Sequence, residues 1–148
     1  MSEKYVLDTS ALIQAYVQDD NTPNAKEMIA RLLSATPPEL HLLDIALPEA
    51  ANVLWKRVVL HKRLSADLAG KSLENLRALP IIIHESSPLL NEALRLGIEH
   101  GLAVYDVLVI ALAQELGIPL ITADTRQETV ARQAGVTIKP IADFVPTS

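Results

Sequence analysis

The sequence predicts an α/β fold built on a mainly parallel sheet covered by helices on both faces. Short apolar runs of strand length alternate along the chain with helical stretches, many of ten or more residues. Crossovers of that length are what parallel neighbours require. The size prior adds that 148 residues form one domain, spanning 1–148, large enough to bury a core without staples.

Taken in order, Lys4–Leu7 is an apolar run suited to a buried strand, and Thr9–Val17 continues as a helix. After the turn-forming Asp19-Asp20-Asn21-Thr22, a second helix is expected from Pro23 to about Leu33, before the Pro37-Pro38 stop. Leu40–Leu43 reads as a strand. Pro48 suits a first helical turn, opening a helix that runs through Trp55 toward Arg63. Ser65 is placed to cap the next helix, with Asp67 in its first turn and an end near Leu79. Ile81–Ile83 is the clearest strand by β-branching. Ser87-Pro88 starts a helix ending near Gly101, Val104–Leu116 forms another ended by Gly117, and Pro119–Thr122 is a strand. Thr125–Ala134 is a helix ended by Gly135, and Val136–Ile138 is a last strand.

Composition narrows the function classes. With no cysteine there are no disulfides and no thiolate metal sites. The longest apolar stretch, Leu102–Ala113, is interrupted by Asp106 and too short to span a bilayer, and the N-terminus has no signal-like pattern. A soluble, cytoplasmic protein is expected. A hydrophobic share of 49% is high for this length, so a partner or second copy is expected to cover some apolar surface. The net charge of -5 argues against a broadly basic nucleic-acid-binding surface and leaves room for a local basic strip or metal-assisted phosphate contact.

Four acids stand out: Asp8, Glu49, Asp106 and Asp124 each fall where an apolar run gives way to a helix start or where an apolar helix begins. Asp8 and Asp124 follow predicted strands, on the sheet edge where α/β folds bind ligands, and Glu49 and Asp106 occupy early helical turns aimed at the same crevice. Gathering carboxylates raises their pKa values through repulsion unless a cation neutralises them. An all-oxygen donor set suits Mg²⁺ or Mn²⁺ and suits zinc poorly. The four histidines, His41, His61, His84 and His100, show no paired spacing and are not expected as ligands. A local explanation competes for each acid taken alone. Asp8 or Asp124 would cap a helix, Thr125 with Glu128 has capping-box spacing, and the macrodipole favours Glu49 and Asp106 early in a helix.

The segments Tyr-Val-Leu-Asp-Thr-Ser-Ala-Leu at 5–12, Leu-Pro-Glu-Ala-Ala-Asn-Val-Leu-Trp-Lys at 47–56 and the run from Tyr105 to Asp124 resemble those of PIN-domain ribonucleases, in particular VapC-type toxins of toxin–antitoxin pairs. The resemblance covers about Lys4 to Phe144, in the same order. It implies a three-layer α/β/α fold, Mg²⁺ or Mn²⁺ dependence, cleavage of RNA to a 5'-phosphate and a 3'-hydroxyl, homodimers, and inhibition by a small antitoxin. The family's acidic quartet falls on Asp8, Glu49, Asp106 and Asp124, the expected catalytic and metal ligands, and its hydroxyl on Ser10. Asn52 and Thr122 stand where they would hydrogen-bond the carboxylates or metal-bound water. After the fourth acid come Thr125, Arg126 and Gln127, which leaves one metal or two open.

At about 100° per residue, Glu49, Asn52, Lys56 and Arg63 project within about 60° of one another on a helix that lasts that far. Lys56 and Arg63 would then form a cationic strip leading from the acids, and Arg126 is a further phosphate contact. The bland alternative for the strip is an ordinary solvated face. With one Trp, one Phe and three Tyr, no aromatic platform for base stacking is expected. Two alternatives remain: a non-catalytic PIN-like module binding nucleic acid or protein, and an aspartate-nucleophile phosphatase, which would want an acid where Ser10 stands.

Overall fold

Four strands form one all-parallel sheet in the order β3-β2-β1-β4. They are β1 (Lys4–Leu7), β2 (Glu39–Leu43), β3 (Ile81–His84) and β4 (Leu120–Ile121). The computed structural model describes residues 3–14, 22–32, 34, 36 and 38–145. Val6 is in register with His41 on one side and with Leu120 on the other. From β1 the chain builds outward to β2 and β3, then returns to lay β4 on the vacant side. That reversal makes the gap between β1 and β4 a topological switch point, where sheets of this kind hold ligands.

Alternation along the strands sends side chains into two cores. Tyr5, Leu7, Leu40, Leu42 and Ile121 face one side, where α1 (Thr9–Gln14), α2 (Thr22–Leu32), α3 (Ala46–Val59) and α4 (Ala66–Arg77) cover them. Val6, Leu43 and Leu120 face the other, under α5 (Leu90–His100), α6 (Val104–Leu116) and α7 (Thr125–Gln133). Each fully buried leucine contributes about 1.5–3 kcal/mol. Helix α6 is buried without a break from Val107 to Ala113, because it lies between the sheet and the helices outside it. Among the described residues no single helix is long and apolar enough to cross a membrane.

Several boundaries differ from expectation for physical reasons. The predicted end of the first helix at Val17, the following turn at residues 19–21, Leu33 and Pro37 lie outside the described residues. Helix α3 begins at Ala46, two residues before Pro48, and stops at Val59. The chain then turns through Lys62 at a φ of 51°, where Arg63 N donates to Arg57 O. Arg63 is therefore not on the helix, and the expected strip ends at Lys56. The 3-10 turn Ser87–Leu89 leads into α5. The last expected strand shrinks to a single bridge, Ile138 to Leu120. Strand β4 is shorter than Pro119–Thr122, since Pro119 has no N–H to give, although its carbonyl still accepts from Val6 N. Ser65 caps α4 as expected, accepting from Leu68 N at 3.2 Å.

Candidate active site

A cleft of about 280 Å³ opens at the carboxyl ends of β1 and β4, and Asp8, Glu49, Asp106 and Asp124 all line it. Each acid arrives by a different route. Asp8 follows β1 directly and its carbonyl accepts from Ala11 N and Leu12 N, so it begins α1. Asp124 is the N-cap of α7, its Oδ1 accepting from Arg126 N (2.8 Å) and Gln127 N (3.1 Å). Glu49 and Asp106 stand in the first turns of α3 and α6. Capping and a shared cleft turn out to be compatible: capping occupies only one of Asp124's oxygens. The cap there is Asp124 itself, one residue ahead of the capping box read from Thr125 and Glu128.

Hydroxyls brace the first acid. Ser10 donates from Oγ to Asp8 Oδ2 at 2.5 Å and from its backbone N to the same oxygen at 3.2 Å. Ser10 Oγ also accepts from Ala123 N (3.0 Å), tying the start of α1 to the end of β4. Thr122 Oγ1 lies 3.4 Å from Asp8 Oδ2, donates to Gln127 Oε1 (2.8 Å) and accepts from Asp124 N (3.1 Å). Thr9 Oγ1 reaches Glu49 Oε1 at 3.2 Å.

The electrostatics are those of acids brought close without enough compensation. Burial raises the Asp8 carboxyl above its ordinary value, and the Ser10 bonds oppose that rise only in part. Glu49 is raised by desolvation first and by the neighbouring Asp8 second, with Asp106 adding to it and the Thr9 bond opposing it. Among the described residues, no ion pair joins a Lys or Arg to any of the four acids. As the side chains stand, no three acids or histidines among the described residues meet closely enough to enclose a metal ion. The donor chemistry fits a hard divalent cation: oxygen only, negatively charged, and without an ion-paired Lys or Arg among the described residues.

Of the other predicted residues, Ser10, Asn52 and Lys56 line the cleft. Thr122 sits buried behind it through the bonds above. Asn52 and Lys56 are exposed. Arg126 lies outside the cleft lining, beside it, and Arg63 is exposed beyond the end of α3.

Three contributors were not read from the sequence. Gln127 is 3% exposed and joins Thr122 to α6 by donating from Nε2 to Asp106 O at 2.8 Å. Thr9 holds Glu49, and Tyr105, 70% exposed, lines the cleft. The only available signal was adjacency in sequence to Asp8, Asp106 and Asp124. Elsewhere, His41 and His84 do meet despite their unpaired spacing, with Nδ1 to Nε2 at 2.7 Å, and His41 Nε2 lies 2.6 Å from Glu39 Oε1.

Alongside this parallel sheet with acids gathered at its switch point, the chain matches the PIN-domain family over residues 5–133. It belongs to the PIN-domain family. Within it, the chain is 36% identical over 128 residues to Ribonuclease VapC3 of Pyrobaculum aerophilum, covering 82% of this chain and 89% of the relative. It is 29% identical over 135 residues to Exonuclease VapC9 of the same organism, covering 91% and 90%. Two solved structures share the fold. A Pyrobaculum aerophilum protein superposes with a TM-score of 0.69 at 23% identity, over 97% of this chain and 93% of that one. A toxin–antitoxin complex from Klebsiella pneumoniae gives 0.55 at 23% identity, over 83% and 88%.

Proposed function

We propose that the protein is a Mg²⁺- or Mn²⁺-dependent endoribonuclease of the VapC type, acting as the toxin of a toxin–antitoxin pair. The observation that carries this reading is the joint placement of Asp8, Glu49, Asp106 and Asp124 along one cleft at the switch point. The 36% identity to Ribonuclease VapC3 supports the substrate class.

Asp8 and Asp106 would hold the ion, with Glu49 and Asp124 bonding its water shell or a second ion. Bound there, Mg²⁺ or Mn²⁺ supplies a lowered pKa for water and polarisation of the scissile phosphate. The chain supplies the rest. Ser10 fixes the Asp8 carboxylate, Thr122 links Gln127 to the backbone of Asp124, Thr9 fixes Glu49, and Gln127 anchors the first turn of α6. Lys56 at the cleft wall is placed to meet an RNA phosphate. Against the expectation of no aromatic platform, the exposed Tyr105 at the cleft offers a single ring on which a base can stack.

The partners proposed are a second copy of the chain and a small antitoxin. Exposed apolar side chains on α5 (Leu90, Leu94, Ile98) and around α3 and α4 (Trp55, Val59, Leu60, Leu68) give both a surface to cover.

The test is cleavage of end-labelled and circular RNA by purified protein with Mn²⁺ or Mg²⁺. Cleavage of the circle identifies endonucleolytic action, and Asp8→Asn or Asp106→Asn is expected to abolish it while the fold survives. Equal cleavage by these variants, or cleavage undiminished by chelator, refutes the reading. A second reading, a non-catalytic binding module, draws on the acids not closing around an ion as they stand. RNA retention without cleavage under the same conditions would favour it.

A further inference from the structure

Beside the acidic cleft lies a second hollow, about 350 Å³, between the end of α5 and the outer face of α7. Cleft and hollow are built from the same two stretches of chain. On one, Asp124 and Gln127 line the cleft while Thr125 and Arg126 line the hollow. On the other, Tyr105 and Asp106 face the cleft while His100 and Leu102 line the hollow. Since consecutive Cα atoms are about 3.8 Å apart, the Cα atoms of Asp124 and Arg126 are separated by roughly 7.6 Å at most. An RNA chain leaving the carboxylates on that side would meet the hollow next.

The chemistry changes sign between the two. Four carboxylates line the cleft, whereas none lines the hollow. Arg126 is exposed there, and among the described residues its guanidinium makes no ion pair or hydrogen bond. The nearest acid to the imidazole is Glu99, 4.0 Å from His100 Nε2. Leu102 and Val130, both nearly buried, form an apolar floor. Thr125, Thr129 and Gln133 supply a polar rim. Apolar floor, polar rim and one cation together suit a flat heterocycle carrying a phosphate, and the volume is that of a small-ligand site.

Resting on the nuclease reading above, we propose that this hollow is a nucleotide subsite that selects the residue next to the scissile phosphate. Arg126 pairs with that nucleotide's phosphate, its base lies on Leu102 and Val130, and the Gln133 amide reads the base edge.

The test maps cleavage of an RNA pool randomised around the cut by wild type, Thr129→Trp, Gln133→Ala and Arg126→Ala, with melting temperatures confirming that each variant folds. Thr129 and Gln133 are exposed on α7, so their replacement leaves the core alone. Thr129→Trp and Gln133→Ala are expected to flatten the preference at one position beside the cut and to raise KM about tenfold on the preferred oligonucleotide, with kcat on an oligonucleotide lacking that nucleotide unchanged. Arg126→Ala is expected to weaken binding of all sequences and to reduce the salt slope by about one. Wild-type cleavage with the same preference and KM in all three variants overturns the subsite and leaves the nuclease reading standing. Wild-type protein that cleaves no RNA overturns both.

Discussion

Asp8 concentrates the tension of this molecule in a single side chain. Its carboxyl is raised by burial, so the folded state binds its proton more tightly than the unfolded chain does. The stability from that proton is fully present below the unfolded value of 3.8 and is lost as pH rises through the folded one. Above 3.8 the unfolded chain gives up that proton more readily than the folded one, so the group costs stability as pH rises toward neutral. Asp8→Asn in metal-free protein should therefore melt a few degrees higher than wild type at pH 7, with the gap narrowing toward pH 3.8. Calorimetry across that range checks it, and a variant less stable at pH 7 would show that the Ser10 bonds outweigh burial. Gln127 carries a different liability. Gln127→Ala removes the donor to the Asp106 carbonyl and the acceptor of the Thr122 hydroxyl, which keeps Asp8 Oδ2 and Asp124 N beside it. A loss of about 1–3 kcal/mol and a fall in kcat exceeding any change in KM are expected, measured by denaturant titration and cleavage kinetics. The four acids were legible as candidates because Asp8, Glu49 and Asp124 sit where a strand gives way to a helix and Asp106 opens an apolar helix. Gln127 was not, since nothing in a surface-like Thr-Arg-Gln-Glu run marks one member as buried. The meeting of His41 and His84, 43 positions apart, was invisible until β2 and β3 were paired.

Among the elements, the corner between α5 and α6 sets where Asp106 points. Gly101 holds it at a φ of 68°, and Leu102 N donates back to Gly97 O at 3.1 Å. A Cβ on Gly97 would stand 2.7 Å from the Leu102 carbonyl oxygen, a backbone atom unable to step aside alone. Gly97→Ala should cost about 1–3 kcal/mol through this clash, against a helix-propensity gain of up to about 1 kcal/mol. A lower melting temperature together with lower kcat is expected. Unchanged values for both would mean that the corner relaxes without moving α6. Strands β1 and β3 and helices α4 and α6 were readable because caps, β-branching and terminal glycines agree there. The end of α3 was not: no Gly or Pro announces it, and Lys62 adopts a positive φ that its residue type does not signal.

Across the whole molecule, the layer order followed from the alternation of runs, while the position of β4 beside β1 did not, because adjacency depends on crossovers and not on local pattern. The high apolar share also left its mark on the surface, where Leu94 and Ile98 of α5 are 52% and 76% exposed. If α5 is the face shared with a second copy, Ile98→Glu should convert a dimer to a monomer in size-exclusion with light scattering, leaving the melting profile of the monomer intact. Elution of wild type as a monomer at micromolar concentration rules that face out as a stable self-contact.

The placement of β4 next to β1 also has a consequence for biosynthesis. The strand that leads to Asp124 is translated after every element between it and Asp8, and must pair back across all of them. On the nuclease reading, a nascent polypeptide therefore holds an unassembled centre until α7 has been made and docked.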